Sequence, residues 1–518
     1  MEFLEKIIPR EYQEEIFKTC IEKNCLIVLP TGLGKTLIAL MISIDRMKKF
    51  PGKKVLFLAP TKPLAEQHLG YFKKNLPELF GGMDLFTGAV SPTKRKKIWE
   101  MGDIIFSTPQ CIANDLRKRL YSLSEVCLLI EDEAHRCVKN YDYNFISEKF
   151  QSQSKNPRII GLTASPGSDQ SKIREICKNL SIEEVELRTR ESPDVKKYLQ
   201  ELEFEKREVD LPKEFIEIKN ILKKIFDEYT DELKMKNFLF GPVSKISLIE
   251  LQRRIGIQLS KNLSHPSSYF AISLVSQAIK LSHAMDLLET QTLESFYKYL
   301  RKLFSEAEKG KSKGVKRLVL REDFRLAHDK TRFLLERGEE HPKLQEIIRL
   351  VRDEKKNSKS PKTIIFTQFR ETASLISKNI NKLSGINSKV FIGQANKEGG
   401  GLNQKEQKEI IDNFSNGETN VLCATCIAEE GLDIPEVDSV IFYEPVSSAI
   451  RSIQRRGRTA RLSKGKLIIL ITKGTKDEFA YYTSRAREKK MEKSIKEIKE
   501  ELNKNYSKEK KVSQESLF

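Results

Sequence analysis

The stretch Leu26-Ile27-Val28-Leu29-Pro30-Thr31-Gly32-Leu33-Gly34-Lys35-Thr36 decides the fold class of this chain. An apolar run of strand length leads into small residues, a lysine and a threonine, and a helix-forming run follows. In such a strand–loop–helix unit, backbone N–H groups close around phosphate oxygens at the helix N-terminus. Lys35 would reach the terminal phosphates, and Thr36 would offer its hydroxyl to Mg²⁺. The stretch predicts a phosphate loop formed by Pro30, Thr31, Gly32, Leu33, Gly34, Lys35 and Thr36.

Strand-sized apolar runs alternate with amphipathic stretches on both sides of this loop. They occur at 25–30, 55–60, 104–107, 127–131 and 158–163, and the rhythm returns at 363–367, 389–393, 420–424, 439–444 and 466–472. Strands that alternate with helices are typical of parallel sheets covered on both faces. We therefore predict an α/β chain with two doubly wound parallel-sheet domains, at 1–198 and 341–490.

The segment between the two predicted sheets differs from them in spacing and charge. From 199 to 340, long polar stretches carry apolar residues at helical spacing, which predicts a helical insertion. Its later part is basic, with Lys311, Lys313, Lys316, Arg317, Arg321 and Arg325. A solvated helix face and a nucleic-acid contact explain these charges equally well. The Lys/Glu-rich segment 491–518 has few apolar residues, which predicts a marginal helix or a disordered tail.

The charge of the chain favours a polyanionic partner. Lysine and arginine number 92 against 73 for aspartate and glutamate, and the net charge of +19 would attract nucleic acid. No run of about 18 apolar residues occurs, so we expect no membrane span. The eight cysteines are scattered and no export signal opens the chain, which predicts reduced cysteines and a cytoplasmic, nucleoid-associated protein. Cys423 and Cys426 have no second ligand pair nearby to complete a zinc site.

A pair of acidic residues completes the candidate phosphate site. An apolar run ending at Glu131 leads into Asp132-Glu133-Ala134-His135. At a strand end, Asp132 can hold Mg²⁺ through water, and Glu133 can orient and deprotonate an attacking water. Acids that cap a helix N-terminus would explain the charges but not their pairing with a phosphate loop. We therefore predict a site for ATP and Mg²⁺, with Thr36 and Asp132 as the metal ligands.

These motifs resemble those of superfamily 2 helicases. They occur in the family's order together with Thr163-Ala164-Ser165 and Gln454-Arg455-Arg456-Gly457-Arg458-Thr459-Ala460-Arg461. The resemblance implies two RecA-like domains that form an ATP-driven motor. Arginines of the second domain would stabilise the transferring phosphoryl group when the domains close. By this resemblance, Arg458 and Arg461 are those arginines, and Gln454 couples the γ-phosphate to His135.

The resemblance extends to both ends of the nucleotide pocket. Arg10-Glu11-Tyr12-Gln13 is similar to the family segment that places a glutamine against adenine, which implies contacts from Arg10 and Gln13. Gly431-Leu432-Asp433 is similar to the motif that approaches the ribose from the second domain, which implies contacts from Gly431 and Asp433. A surface acid is the alternative for Asp433.

The same resemblance implies a track that grips one nucleic-acid strand by its phosphates. Hydroxyls, amides and backbone N–H groups near strand ends can bind phosphate without reading bases. In the first domain the candidates are Pro60, Thr61, Lys62, Thr87, Gly88, Thr108, Pro109 and Gln110. In the second domain they are Thr367, Gln368, Arg370, Gly393, Gln394 and Thr425. Ordinary turn chemistry explains each segment equally well when it is taken singly.

Longer phrases narrow the resemblance to the archaeal Hef helicases and their Fanconi anaemia M relatives. The phrases are 9–13, 29–36, 162–167 and 452–459, with His283 to Gln291 inside the insertion. The resemblance implies a DNA helicase or translocase acting on forked or branched DNA, with the insertion gripping duplex near the junction. Many Hef proteins also carry a nuclease signature, Glu-Arg-Lys-x-x-x-Asp. Glu488-Lys489-Lys490 has no aspartate at the matching position, so we expect no nuclease in this sequence.

Two other functions stay open at this point. An RNA-duplex-stimulated ATPase of the Dicer or innate-sensor type would grip phosphates in the same way, since contacts to the 2′-hydroxyl cannot be read from sequence. An idle clamp or scaffold would not need intact catalytic motifs. A partner is also suggested by Gln514-Glu515-Ser516-Leu517-Phe518, which resembles the start of a sliding-clamp-binding peptide. An unstructured tail is the alternative for that segment.

Overall fold

The described chain contains two parallel β-sheets, sheet 1 in domain 1 and sheet 2 in domain 2, with a set of long helices between them. The computed structural model describes residues 7–77, 80–199, 202–260, 266–310, 312–357, 361–393, 401–425, 435, 437–446, 448 and 465–515. All strand pairs within these residues are parallel. The predicted fold class, two parallel-sheet α/β domains with a helical domain between them, is confirmed.

Domain 1 contains a sheet with the strand order β3-β4-β2-β5-β6-β1-β7. Its elements are α1 (Glu11–Glu22), β1 (Cys25–Val28), α2 (Lys35–Lys49), β2 (Lys54–Leu58), α3 (Lys62–Asn75), β3 (Met83–Phe86), α4 (Pro92–Met101), β4 (Ile104–Ser107), α5 (Pro109–Arg117), β5 (Val126–Asp132), a 3₁₀ turn (Ala134–Arg136), α6 (Asp142–Gln153), β6 (Ile159–Thr163), α7 (Gln170–Asn179), β7 (Glu184–Leu187) and α8 (Pro193–Lys196). The five predicted strands form its middle and are buried on both faces. The strands β3 and β7 are not predicted from the sequence, because these edge strands carry acidic residues and lack a continuous apolar run.

The helical domain comprises α9 (Lys213–Met235), α10 (Lys245–Ser260), α11 (Pro266–Thr290), α12 (Leu293–Glu308), α13 (Lys313–Leu320) and α14 (Glu322–Glu336). It has a core of its own, in which Phe215, Leu222, Leu281, Phe296 and Phe324 are buried together. The apolar stripes of these helices pack against one another and form this core. The helical character predicted between the two sheets is confirmed for the described helices from Lys213 to Glu336.

Domain 2 contains a sheet with the strand order β10-β11-β9-β12-β13-β8. Its elements are β8 (Leu202–Val209), α15 (Pro342–Asn357), β9 (Thr363–Phe366), α16 (Arg370–Ile380), β10 (Ser388–Phe391), α17 (Gln404–Ser415), β11 (Val421–Ala424), β12 (Ser439–Phe442) and β13 (Gly465–Thr472). Helices and loops on both faces bury its strands in two apolar clusters. This arrangement aligns the carboxyl ends of all its strands at one edge.

The strand β8 departs from the prediction of helix throughout 199–340. It pairs in parallel with β13 along its whole length, from Leu202 opposite Gly465 to Val209 opposite Thr472. Five of its eight residues are charged, so the strand has no apolar run by which it could be predicted. Charged residues are common on edge strands because one side of the strand faces no partner. The helical insertion therefore starts after β8. The chain contributes this one strand to domain 2 before it forms the helices of the insertion.

The C-terminal segment is helical, one of the two alternatives predicted for it, and it is packed more extensively than a marginal helix would be. After β13 the chain forms α18 (Lys476–Glu515), a single helix of 40 residues. Met491, Ile495 and Ile498 are buried in the core of domain 1, so the helix runs from domain 2 onto domain 1. Their spacing of four and three residues is a helical stripe, which the high charge of the segment obscured. Among all the described residues, no helix is long and apolar enough to cross a membrane.

Candidate functional site

The predicted phosphate loop joins β1 to α2 at the carboxyl edge of sheet 1. Gly32 and Gly34 have φ angles of +85° and +81°, which favour glycine because other residues are strained there. Gly34 is also the N-cap of α2, and a Cβ at this position would lie 2.3 Å from Nε2 of Gln13. These glycines allow the loop to turn tightly and to present the N-terminus of α2, the end of a helix that favours anions.

Residues of the first helix brace this loop. The Tyr12 hydroxyl and Nε2 of Gln13 both donate to the carbonyl of Leu33, at 2.9 and 3.1 Å. The other amide end of Gln13, Oε1, accepts from the backbone N–H of Arg10 at 2.9 Å. The Arg10 guanidinium lies over the ring of Tyr198, 5.2 Å from its centre. Gln13, predicted to contact adenine, therefore lies against the loop with both ends of its amide bonded to the protein's own backbone.

The two predicted metal ligands are linked by a histidine. His68 Nδ1 lies 3.4 Å from Oγ1 of Thr36, and His68 Nε2 lies 2.9 Å from Oδ2 of Asp132. Burial alone would raise the pKa of Asp132, but the hydrogen bond and charge of His68 and the charge of Lys35 outweigh it and lower that pKa. Asp132 is therefore an ionised carboxylate beside a hydroxyl. His68 is not among the residues predicted from the sequence, although its helical spacing from Ala65 and Phe72, with which it is buried on α3, was a signal.

The donor set at this point fits Mg²⁺. Asp132 supplies an ionised carboxylate and Thr36 a hydroxyl, which are the hard oxygen donors that Mg²⁺ prefers. No cluster of three or more His, Cys, Asp or Glu side chains suited to a metal occurs in the described part of the chain. Mg²⁺ usually takes its remaining ligands from water and substrate phosphates. Lys35 lies at the same loop, where its ammonium donates to the carbonyl of Leu29 at 2.8 Å.

Glu133 and His135 connect the acidic motif to the next strand. Glu133 has φ and ψ of +52° and +47°, a left-handed conformation that is uncommon outside glycine and clusters at functional sites. Its Oε2 lies 3.2 Å from Nδ1 of His135. The same nitrogen lies 3.3 Å from Oγ1 of Thr163, at the end of β6. The predicted water-orienting acid and the Thr163-Ala164-Ser165 motif are therefore linked through one imidazole.

A second, buried carboxyl lies beneath this site. Glu131 accepts hydrogen bonds from the Ser147 hydroxyl at 2.8 Å and the Cys137 thiol at 3.1 Å. Burial raises the pKa of Glu131 to about 8, although both hydrogen bonds act to lower it. Tyr143 supports the neighbouring position by donating to the backbone carbonyl of Asp132 at 2.7 Å. Glu131 therefore holds its proton at neutral pH. No sequence pattern marked it, because only the fold shows that the end of β5 is buried.

The predicted strand-gripping residues gather at one edge of each sheet. In domain 1 they follow the adjacent strands β3, β4 and β2, and in domain 2 they follow the adjacent strands β10, β11 and β9. Carboxyl ends of neighbouring parallel strands meet at the same edge. The segments beyond those ends are 60–62, 87–88 and 108–110 in domain 1, and 367–370, 393 and 425 in domain 2. The phosphate loop and Asp132 occupy the other half of the sheet 1 edge, after β1 and β5.

Local geometry at this edge is suited to phosphate. Thr61 and Thr108 are the N-caps of α3 and α5, so helix N-termini point toward the edge. The Thr61 hydroxyl is buried without a hydrogen-bond partner in the described structure. Gly88 and Gln110 are exposed. In domain 2, Arg370 donates to the carbonyl of Gly393 at 3.1 Å, Gln368 is exposed, and Thr367 and Thr425 are buried.

Six predicted site residues lie outside the described residues. They are Gln394, Gly431, Asp433, Gln454, Arg458 and Arg461. Their roles remain predictions from the sequence. Within the basic segment of the insertion, Lys313, Lys316 and Arg317 are exposed on α13. Arg321, by contrast, is engaged in ion pairs with Asp323 and Glu228, each at 2.7 Å.

Comparison with known families places each part of the chain. A model described as "DEAD/DEAH box helicase" matches residues 10–173, and one described as "Helicase conserved C-terminal domain" matches residues 342–463. A third, described as "Putative ATP-dependent RNA helicase, helical bundle", matches residues 214–333. The three matches correspond to domain 1, domain 2 and the helical domain between them.

Individual relatives are similar over nearly the whole chain. The helicase domain of Pyrococcus furiosus Hef is 44% identical with a TM-score of 0.72, and the match covers 92% of this chain and 98% of that one. The "Putative ATP-dependent RNA helicase MJ1505" of Methanocaldococcus jannaschii is 39% identical over 497 residues, covering 96% of this chain and 62% of that protein. The ATP-dependent DNA helicase fml1 of Schizosaccharomyces pombe is 32% identical over 486 residues, covering 90% and 57%. The chain thus spans about six-tenths of these two curated relatives.

Proposed function

Because the chain belongs to the Hef helicase family, we propose that it is an ATP-driven DNA helicase or translocase that acts on forked or branched DNA. One observation carries the proposal: the phosphate loop and Asp132 share the edge of sheet 1 with segments that can grip a strand, and the same strand positions of sheet 2 carry matching segments. Both sheet edges can hold the same strand, and the nucleotide binds at the edge of sheet 1. Such a pair acts as a motor when the distance between the two edges changes as ATP binds and is hydrolysed.

The residues of domain 1 support hydrolysis of the terminal phosphate bond. Backbone N–H groups of the loop and the Lys35 ammonium bind the phosphates, while Glu133 accepts a proton from the attacking water. Mg²⁺, when bound by Thr36 and Asp132, neutralises charge on the phosphates. Arg458 and Arg461 are proposed to stabilise the transferring phosphoryl group from domain 2, with Gln454 linked to His135. Gln13 is proposed to contact adenine once its hydrogen bond to the Leu33 carbonyl is broken. Asp433 is proposed to contact the ribose.

The nucleic-acid track is proposed to run across both sheet edges. Its contacts are hydroxyls, helix N-termini, an exposed amide and a guanidinium, which bind phosphate without reading bases. This chemistry positions a strand and confers no sequence preference. Gln394 is assigned to the same track by its place in the sequence, three residues after Phe391 at the end of β10. The motor is therefore expected to act on structure rather than on sequence.

The helical domain is proposed to hold the duplex next to the branch. Lys313, Lys316 and Arg317 are exposed on α13 at spacings of three and four residues, which places them on one face. None of these three side chains forms an ion pair with a described residue, whereas Arg321 does. Three unneutralised cations on one face can contact successive phosphates of a duplex arm.

A single experiment separates the proposed function from its alternative. The names of the relatives refer to RNA in one case and to DNA in another, and contacts to phosphate do not discriminate between them. ATP hydrolysis by the protein should be measured with forked DNA, linear duplex DNA and duplex RNA of equal length. We expect forked DNA to stimulate most strongly. Stronger stimulation by duplex RNA would instead support an RNA-duplex-stimulated ATPase.

We also propose that the C-terminal residues Gln514 to Phe518 bind a sliding clamp. The support is the sequence pattern alone, a glutamine followed by an aliphatic and an aromatic residue. The described helix α18 reaches Glu515, so the peptide would extend from its end. A titration of the clamp with the full chain and with a chain lacking 514–518 tests this. Equal or undetectable binding by both would overturn it.

A further inference from the structure

The register of sheet 2 places two residues side by side beyond their strands. β9 and β12 pair in parallel with Phe366 opposite Phe442, so Gln368 and Glu444 occupy equivalent positions two residues further on. The backbone N–H of Gln368 donates to Oε1 of Glu444. Glu444 is only 2% exposed. A buried carboxylate therefore fixes the backbone of the segment that carries Gln368 and Arg370.

The helical domain meets the same carboxylate from the other side. Gln291 lies at the corner between α11 and α12 and is 1% exposed. Its Nε2 donates to Oε2 of Glu444 at 3.3 Å, and its Oε1 accepts from the Thr372 hydroxyl at 2.9 Å. Thr372 lies in the first turn of α16, directly after the strand-gripping segment. One amide of the insertion is therefore bonded to groups that hold this segment at both ends.

The corner that carries Gln291 is itself fixed to domain 2. His341 Nε2 lies 3.0 Å from the carbonyl of Glu289, and Lys343 Nζ donates to the carbonyl of Thr290 at 3.3 Å. Lys343 also pairs with Asp477 at the start of α18. The network is buried, so a partner removed from it leaves an unsatisfied polar group. The corner and the strand-gripping segment are therefore held in one arrangement.

We propose that Gln291 is a positioning residue that couples the helical domain to the strand-gripping segment 368–370 through Glu444. The inference rests on the proposed function, because it takes that segment to contact one strand and the helical domain to contact the duplex arm. Through this bridge, the two contacts keep a fixed distance and orientation. A fork can make both contacts at once, so each contact strengthens the other. A linear duplex does not gain this coupling free energy.

The chemistry of the bridge permits a reciprocal test. Gln291→Glu puts a carboxylate against the carboxylate of Glu444 and removes the donor. Glu444→Gln in the same chain restores a donor, since Nε2 of the new glutamine can donate to the new carboxylate while its Oε1 still accepts from Gln368. The Thr372 hydroxyl can donate to either residue at position 291. The double exchange therefore reverses the polarity of the bridge and keeps its shape.

The readout is ATP hydrolysis titrated with forked DNA and with linear duplex. For Gln291→Glu we expect the concentration of fork giving half-maximal stimulation to rise about tenfold. Hydrolysis without DNA, kcat at saturating DNA and the linear-duplex titration should stay near those of the wild type. The double exchange should recover most of the fork preference. A role confined to stability would lower kcat and both titrations together.

A matched control and a second variant keep the outcome decisive. Gln277→Glu makes the same change at an equally buried glutamine, 2% exposed, whose amide nitrogen donates to the carbonyl and the hydroxyl of Ser273 in its own helix. It should keep the fork preference. If Gln291→Glu does not fold, Thr372→Val removes the hydrogen bond to Gln291 and the longer contact with the Ser295 hydroxyl, with little change in shape. It should weaken fork preference while Thr372→Ser keeps it.

The results separate this inference from the proposed function. A wild-type protein without any fork preference would refute the proposed function and leave no coupling to explain. A wild-type preference that survives Gln291→Glu in a folded protein, or that is lost equally in Gln277→Glu, would overturn the coupling role alone. Thermal unfolding of each variant establishes which proteins are folded.

Discussion

The hydroxyl of Ser165 in domain 1 donates to the thioether sulfur of Met491 in α18, at 2.9 Å. Ser165 belongs to the motif at the end of β6 in which Thr163 contacts His135. The helix that leaves domain 2 therefore contacts domain 1 two residues from Thr163, which belongs to the candidate nucleotide site. Arg174 and Glu501 extend this contact at 2.8 Å. The two domains are joined by a helix as well as by the insertion.

We expect Ile495→Ala to destabilise the protein by about 2–5 kcal/mol, because Ile495 is fully buried in the domain 1 core and its loss leaves a cavity. The last part of α18 should also become sensitive to protease. Denaturant unfolding and limited proteolysis measure both effects. The exposed neighbour Lys496→Ala serves as the control, and equal stability of the two variants would contradict the packing of this helix on domain 1.

Lys35→Ala and Glu133→Gln should both abolish ATP turnover, because one removes the phosphate cation and the other removes the water-orienting carboxylate. Their binding should differ. Glu133→Gln keeps the shape of the pocket and should still bind ATP together with DNA, whereas Lys35→Ala should lose affinity for nucleotide. Titration with a fluorescent ATP analogue measures this difference, and normal hydrolysis by either variant would refute the assignment.

Arg458→Ala and Arg461→Ala should each lower kcat, by roughly 10³–10⁵ if the residue acts as an arginine finger. Nucleotide binding to domain 1 should change less, since the phosphate loop is intact. Scattering with an ATP analogue and DNA should show closure of the two domains in the wild type. Identical dimensions with and without these ligands would contradict the closure model.

Replacing Lys313, Lys316 and Arg317 together by alanine should weaken binding of forked DNA and reduce its salt dependence. Each lost phosphate contact lowers the slope of log affinity against log salt by about one. Basal ATP hydrolysis should not change, because α13 lies outside the nucleotide site. Arg321→Ala is the control, since the Arg321 guanidinium is already paired with Glu228 and Asp323. An equal loss of fork affinity in both proteins would argue against a specific basic face on α13.

Glu131 should make stability fall as pH rises. Its pKa is about 8 in the folded protein against an ordinary 4.5, so between these values the folded state keeps a proton that the unfolded state has lost. The resulting loss in the free energy of unfolding is absent below about pH 4.5. It grows by up to about 1.4 kcal/mol per pH unit and reaches its full value above about pH 8. Urea unfolding of the wild type and of Glu131→Gln should therefore diverge between pH 5.5 and 8, with the variant losing less. Parallel profiles would show that Glu131 is ionised in the folded protein.

The sequence by itself determined the motor architecture. Continuous apolar runs located the central strands of both sheets, because strands buried on both faces leave no room for polar residues. The phosphate loop and the acid pair could be found from short motifs, since their chemistry depends on residues that are close in sequence. The strand-gripping segments could be proposed because each follows a strand, and their meeting at common edges follows from parallel topology.

The tertiary structure alone decided the contacts between distant segments. His68, Glu131, the Gln291–Glu444 bridge and the path of α18 depend on which surfaces face each other. The edge strand β8 was hidden by its charges until β13 was seen to pair with it. The spacing of residues along the sequence shows the periodicity of a single helix or strand. Burial, a shifted pKa or a bridge between domains depends instead on residues that are tens to hundreds of positions away in the sequence.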